Sequence, residues 1–225
     1  MLWRSSKKNN VVKPFFRHVQ RISQSRGYGV HSPFAFDLIT NVIHSPYTFY
    51  AFDDIRKALT EYGFDSCAVT PFHFLSFRLV RYFNVKNILE INSGNGVNTL
   101  FLLAPAPDIQ CSCIEGDAEV NAIAKNLREK IGIQGERTTL LPSPGKQSYD
   151  AIFINLKENT SITIETLMDL SHIGTFWVFH PIHGSWGKQF WQDFVHDERT
   201  RITFDAKETG IIFIRPGYNK LHYYV

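Results

Sequence analysis

From residue 88 onward, short apolar runs alternate with longer stretches of helical period. This alternation constrains the fold of the 225-residue chain more than any other feature. Ile88-Leu89-Glu90-Ile91 has the pattern of a buried strand, and residues 97–104 the spacing of a helix stopped by Pro105 and Pro107. Further strands are predicted over 111–114, 138–141, 149–155 and 175–179. Helices are predicted over 118–131, 162–170 and 188–196. Strands separated by helices of this length need crossovers, which are right-handed and give a mainly parallel sheet. The last two apolar runs, 201–204 and 211–214, stand too close together for a crossover of a dozen residues. They predict an antiparallel hairpin at a sheet edge.

Upstream, residues 11–24 carry Val12, Phe15, Phe16, Val19 and Ile22 at helical spacing, with Lys13, Arg17 and Arg21 stepping along another side. Ser32-Pro33 reads as a cap followed by proline at the first helical position, opening a helix to residue 43. The leader His31-Ser32-Pro33 is expected to start a helix that packs beside the mouth of the site. Pro46 ends that helix, and residues 52–62 and 72–83 predict two more. The domain division expected is a helical extension over 1–65 and an α/β domain over 66–225.

Charge follows this division. Residues 1–60 hold nine Lys/Arg and three acids, a net +6, whereas the remaining 165 residues hold 15 basic and 18 acidic groups, a net −3. The basic helix of Lys13, Arg17, Arg21 and Arg26 is therefore where an anionic partner would dock. The apolar fraction of 44% excludes a disordered chain. Three cysteines do not make a disulfide framework and point to a reducing, cytoplasmic setting. No apolar stretch is long enough for a membrane span, and none reads as a secretory leader.

Chemistry concentrates in Glu90-Ile91-Asn92-Ser93-Gly94-Asn95-Gly96, between a strand and a helix. In such sheets ligands bind at the carboxyl ends of the strands, and a Gly-rich turn lets backbone approach them. Glu115 ends the next strand, 25 residues after Glu90. An acid there can accept hydrogen bonds from both hydroxyls of a ribose. A dinucleotide fingerprint would need a third glycine where Thr99 stands, and no Gly-Lys-Ser/Thr of a Walker A loop is present.

The acid-x-x-x-Gly-x-Gly run resembles motif I of class I S-adenosylmethionine-dependent methyltransferases, commonly Glu/Asp-x-Gly-x-Gly-x-Gly. Ile114-Glu115-Gly116-Asp117 resembles the second motif, and Tyr149 through Asn155 the fourth strand. The resemblance covers about residues 70–225 and is to the O-methyltransferase-like branch. Gly29-Val30-His31-Ser32-Pro33-Phe34 is similar to the leader of a Bacteroides-type group of bacterial methyltransferase-like proteins. The resemblance implies a Rossmann-like α/β fold, with a mainly parallel seven-stranded sheet and an antiparallel terminal hairpin. It implies S-adenosylmethionine as cofactor, with Gly94 and Gly96 at the methionine end and Glu115 on the ribose. Glu90 would hold the amino group, directly or through water. Asn92, Ser93 and Gly116 complete the cofactor loops. Motif I diverges at Asn92, which takes the place of the first glycine, where its side chain would crowd the cofactor or demand a different turn. Asn tolerates positive φ, so the turn itself can survive.

No acid follows the third strand, where Leu141-Pro142-Ser143-Pro144 stands. Metal-dependent members carry carboxylates where this chain has Asn155 and His180-Pro181, so the resemblance implies chemistry without a metal. Two alternatives stand beside a methyltransferase for a small-molecule acceptor. One is a catalytically degenerate binding protein of the same fold. The other is a nucleic-acid-directed methyltransferase docked by the basic arm. The residues name no catalytic base. His180 and His183 are expected as rim histidines, and Cys111, Cys113 and Cys67 as small apolar packing. Trp186, Phe190, Trp191 and Phe194 are expected to form core.

Overall fold

A computed structural model describes residues 20–25, 27–132, 135–215 and 217–225. Most of the predicted helix over 11–24, with Lys13 and Arg17, lies outside the described residues, as does Arg26; residues 20–25 are helical. Next come α1 (Pro33–Leu38), continued by a π-helical turn (Ile39–Ile43), α2 (Tyr50–Tyr62) and α3 (Pro71–Tyr82). The α/β series follows as β1 (Asn87–Ile91), α4 (Val97–Leu103), β2 (Gln110–Ile114), α5 (Ala118–Lys130), β3 (Thr138–Leu140) and β4 (Tyr149–Asn155). It ends with α6 (Ile164–Asp169), β5 (Ser171–His180), α7 (Ser185–His196), β6 (Ile202–Ala206), β7 (Thr209–Phe213) and β8 (Leu221–Tyr224).

The strands form one sheet in the order β3-β2-β1-β4-β5-β7-β6-β8. Only β7 runs against the others. Two expectations change here. The sheet has eight strands, not seven, and the hairpin is not at the edge. β7 enters between β5 and β6, and β8 pairs in parallel with β6 as the outer strand. Residues 221–224 are too short and too aromatic-rich to distinguish a strand from a loop by period alone. The hairpin is also tighter than the apolar runs suggest, because Lys207 takes a left-handed φ of 61° and closes the turn with Glu208.

Alternation along the strands feeds two cores. Ile88, Phe153, Phe176 and Val178 face one side, with Leu38, Ile39, Leu75 and Leu79 from the N-terminal helices. Leu89, Ile152, Trp177 and Phe179 face the other, with Leu167 of α6 and Trp191 and Phe194 of α7. Each such side chain, fully buried, contributes roughly 1.5–3 kcal/mol relative to exposure. Phe190, Trp191 and Phe194 pack in this core as their spacing predicts. A third cluster joins α2, α3, α4 and α5 through Phe52, Phe77, Phe101 and Leu127.

Ser32 accepts from Ala35 N–H at 3.3 Å, and Pro33 follows it. The cap does not lie beside the mouth of the site. Phe34 meets Phe213 and Phe83, at the amino ends of the parallel strands. It is the far end of this helix, Ile43 and His44, that reaches the carboxyl ends. Arg21, part of the expected basic stripe, pairs with Asp205 at 2.5 Å. Cys111 and Cys113 are buried as expected, but Cys67 is exposed. It sits in a short 3₁₀ turn capped by the Asp65 carboxylate, outside any apolar stripe. No described helix is long and apolar enough to cross a membrane.

Gly210 pairs with Phe179 beneath the Trp191 ring. A Cβ there would stand 2.5 Å from a ring carbon of a fully buried tryptophan. Gly210→Ala is expected to destabilise the fold by about 1–3 kcal/mol through overpacking, measured by urea unfolding. Unchanged stability would contradict this packing.

Candidate functional site

The turn after β1 bends through three left-handed residues, Asn92 (φ 57°), Gly94 (φ 59°) and Gly96 (φ 79°). Gly96 is required by packing as well, since a Cβ there would lie 2.9 Å from Ala124 Cβ of α5. Beside Gly94 the space is open: an added Cβ meets no atom within 4 Å, and the same holds at Gly116. Ser93 is buried and donates its N–H to Ile114 O at 3.2 Å, tying the turn to the end of β2.

Glu90 lies below this turn with no exposed surface. Its carboxylate accepts from Asn98 Nδ2 at 2.8 Å and Thr99 Oγ1 at 2.6 Å. Both donors sit in the first turn of α4, so Glu90 braces the helix that follows the loop. Burial pushes its carboxyl up to about 7, against hydrogen bonds from Thr99 and Asn98 that favour the ionised form. Thr99, at the position of the missing third glycine, is thus a working partner of Glu90.

Glu115, at the end of β2, is the second acid. Its side chain is 4% exposed. Oε2 accepts from Gly94 N–H at 2.9 Å and from Lys157 Nζ at 2.9 Å, and Oε1 from Asp117 N–H at 3.2 Å. Burial raises its carboxyl, but the bonds from Lys157, Gly94 and Asp117, with the Lys157 charge, prevail and hold it below the ordinary carboxylate range. The two motif acids are thereby driven in opposite directions.

Asn92 turns its amide away from the open side. Nδ2 donates to Asn155 O at 2.8 Å and to Thr160 Oγ1 at 3.0 Å, while Asn155 Nδ2 donates back to Asn92 O at 3.1 Å. This reciprocal clasp joins the β1 and β4 ends, the point where strand order reverses. Thr160 also accepts from Lys157 N–H at 2.7 Å, which fixes the backbone from which Lys157 reaches Glu115. Lys157 and Thr160 carry no motif signal. Their role appears only when the β4 loop is seen folded against the β1 turn.

Beside Asn155 in register stands His180 at the end of β5. Its ring stacks on Phe72 at 4.1 Å, and Nδ1 lies 3.1 Å from both Glu208 O and Thr209 Oγ1. Burial lowers its pKa, against the Glu208 carbonyl. His183 instead approaches Asp205 at 4.0 Å, so the two histidines do not converge. Ser143 is exposed on the loop after β3.

The buried carboxyl gives a pH signature. Its folded-state pKa stands above the ordinary value of 4.5, so folding retains the proton and stability falls as pH rises from 4.5 through 7. The loss attributable to Glu90 is on the order of 3 kcal/mol. Urea unfolding at pH 5 and pH 8 should show most of that loss in the wild type and a smaller loss in Glu90→Gln. Equal losses in the two proteins would contradict this account.

The sequence matches no family model and no curated protein. Solved structures do match. An O-methyltransferase from Bacillus cereus in complex with S-adenosylhomocysteine superposes with a TM-score of 0.56 at 16% identity, over 75% of this chain and 92% of that one. The S-adenosylhomocysteine-bound methyltransferase PaMTH1 of Podospora anserina gives 0.56 at 13% identity, over 95% of this chain and 100% of its own. The O-methyltransferase TomG of Streptomyces achromogenes, in complex with S-adenosylmethionine, gives 0.52 at 17% identity, over 75% and 91%. At these identities the likeness concerns architecture: the chain has the Rossmann-like α/β fold of these methyltransferases.

Proposed function

We propose that the chain is a metal-independent S-adenosylmethionine-dependent methyltransferase acting on a small-molecule acceptor. One observation carries the reading: the β2 acid Glu115 and the open Gly94 turn converge at the carboxyl ends of adjacent strands, joined by a hydrogen bond. The open space beside Gly94 and Gly116 supports the fit of the cofactor. When bound, the cofactor supplies an electrophilic methyl group on a sulfonium.

In this reading Asn92, Ser93, Gly94 and Gly96 form the backbone cradle of the methionine end. Glu115 accepts from the ribose hydroxyls, with Gly116 leaving room beside it. Glu90 supports the cradle from below through Asn98 and Thr99, in place of direct contact with the amino group. Lys157 shares Glu115 with the ribose or yields it. Rate would come mainly from holding the acceptor in line with the methyl group. Metal independence rests on the donor set. Asn155 stands where a metal site needs a carboxylate, with its amide engaged by Asn92. Residues 1–65 act as a helical extension whose Ile43–His44 end borders the acceptor side.

A second reading, a non-catalytic binding protein, draws on the Lys157–Glu115 ion pair, which already fills the ribose acid. Calorimetric titration with S-adenosylhomocysteine separates the two. The methyltransferase reading expects measurable binding, weakened at least tenfold in Glu115→Ala and strengthened several-fold in Lys157→Ala. No binding at millimolar ligand in the wild type and in Lys157→Ala would favour the non-catalytic protein.

A further inference from the structure

A cavity of about 500 Å³ opens where the end of β5, the β6–β7 turn and the start of α3 meet. Ile43, Phe72, Leu75 and Pro181 give it apolar walls. Arg78 and Lys207 line it together with Glu208 and the carboxylate of Val225, so the charges balance and nothing in the lining calls for an ion. His44 adds no charge near pH 7, since burial and then the two cations lower its pKa. Arg78 is engaged with main chain, donating Nε to Phe74 O at 3.2 Å and Nη1 to Ser45 O at 2.7 Å. Cavities of this size and character suit small molecules.

One side chain of this lining is held with a bare acceptor. His180 stacks on Phe72, with ring centroids 4.1 Å apart and planes 4° from parallel. The stack fixes the ring plane. Nδ1 lies 3.1 Å from both Glu208 O and Thr209 Oγ1. A carbonyl oxygen only accepts, so Nδ1 carries the proton and donates it, and in the neutral ring Nε2 keeps its lone pair. Burial lowers the His180 pKa, which keeps the ring neutral near pH 7. Nε2 has no hydrogen-bond partner among the described residues and is not one of the polar atoms closed to solvent. His180 is also the register partner of Asn155, which is clasped to Asn92 of the cofactor turn. A base thus stands between the cavity and that turn.

A bare Nε2 selects what lies against it. A carboxylate would set two acceptors face to face, whereas a hydroxyl donates to it. An amine attacks through its own lone pair and needs no base beforehand. We infer that the cavity seats a neutral, apolar acceptor bearing a hydroxyl group, and that His180 Nε2 is the general base that takes its proton. The acceptor oxygen bonds to the methyl carbon of S-adenosylmethionine as the carbon–sulfur bond breaks. Sulfur keeps that electron pair, and the imidazolium passes its proton to solvent. Binding of the hydroxyl compound stands on the cavity and on His180; the transfer rests on the methyltransferase reading above.

The test uses the full chain. Long-range proton–nitrogen correlation of the histidine rings at pH 7.5 should show His180 protonated at Nδ1 and bare at Nε2. His73, whose Nδ1 accepts the Thr70 N–H at 2.9 Å, should show the reverse pattern in the same spectrum. This measurement needs no variant. Added 2-naphthol should shift the His180 Nε2 resonance. By calorimetry it should bind at least about fivefold more tightly than 2-methoxynaphthalene, which keeps the rings and lacks the proton. His180→Phe, which keeps a flat ring against Phe72, should bring the two probes within about twofold of each other. A proton on His180 Nε2, equal binding of the two probes by the wild type, binding of neither, or the preference retained in His180→Phe would overturn the proposal. Naphthol held on His180 without any affinity for S-adenosylhomocysteine would keep the hydroxyl site and remove the methyltransferase reading.

Discussion

The Glu115 carboxylate is the tie on which the site depends. It sits at the end of β2, accepts the Gly94 amide of the β1 turn, and meets the ammonium of Lys157 from the β4 loop. Three strand ends are thereby held by one side chain. The Glu115 side chain is covered in this arrangement, while Lys157 remains about half exposed. The clasp of Asn92 with Asn155 repeats the connection one layer over, and Glu90 repeats it beneath through α4. A loop with three left-handed residues costs conformational free energy, and these three anchors offset it.

Opposed electrostatics follow from the same geometry. Glu90 is surrounded by apolar strands and neutral donors, so burial wins and the proton is retained. Glu115 has an ammonium and two backbone amides, so the charge is retained. The acid bound to the Gly94 amide is therefore the one held in its ionised form, an acceptor on both oxygens. The acid turned inward bears on stability and on the pitch of α4.

Much of this was legible in the chain because period and punctuation agree. The strand-helix alternation from Ile88 to His196 predicts the parallel sheet, and the close spacing of the last runs predicts the reversal at β7. The Glu90-to-Gly96 spacing locates the turn, and Asn92 adopts the positive φ its type tolerates. Other features depend on contacts distant in sequence. Thr160 serves Asn92 from 68 residues away and Lys157 serves Glu115 from 42. β8 is a strand because β6 offers it an edge, not because of its own period. Cys67 is exposed because a capped turn, not an apolar face, determines its surroundings. The cavity at the end of β5 gathers residues from five separate segments, and no local pattern announces it.

The central claim is that the turn after β1 and the end of β2 form one cofactor cradle. Hydrogen–deuterium exchange of the full chain, with and without saturating S-adenosylhomocysteine, tests it most directly. The account predicts slowed exchange at the amides of residues 93–97 and 115–117. Protection confined to other segments, with these amides unchanged, would contradict it.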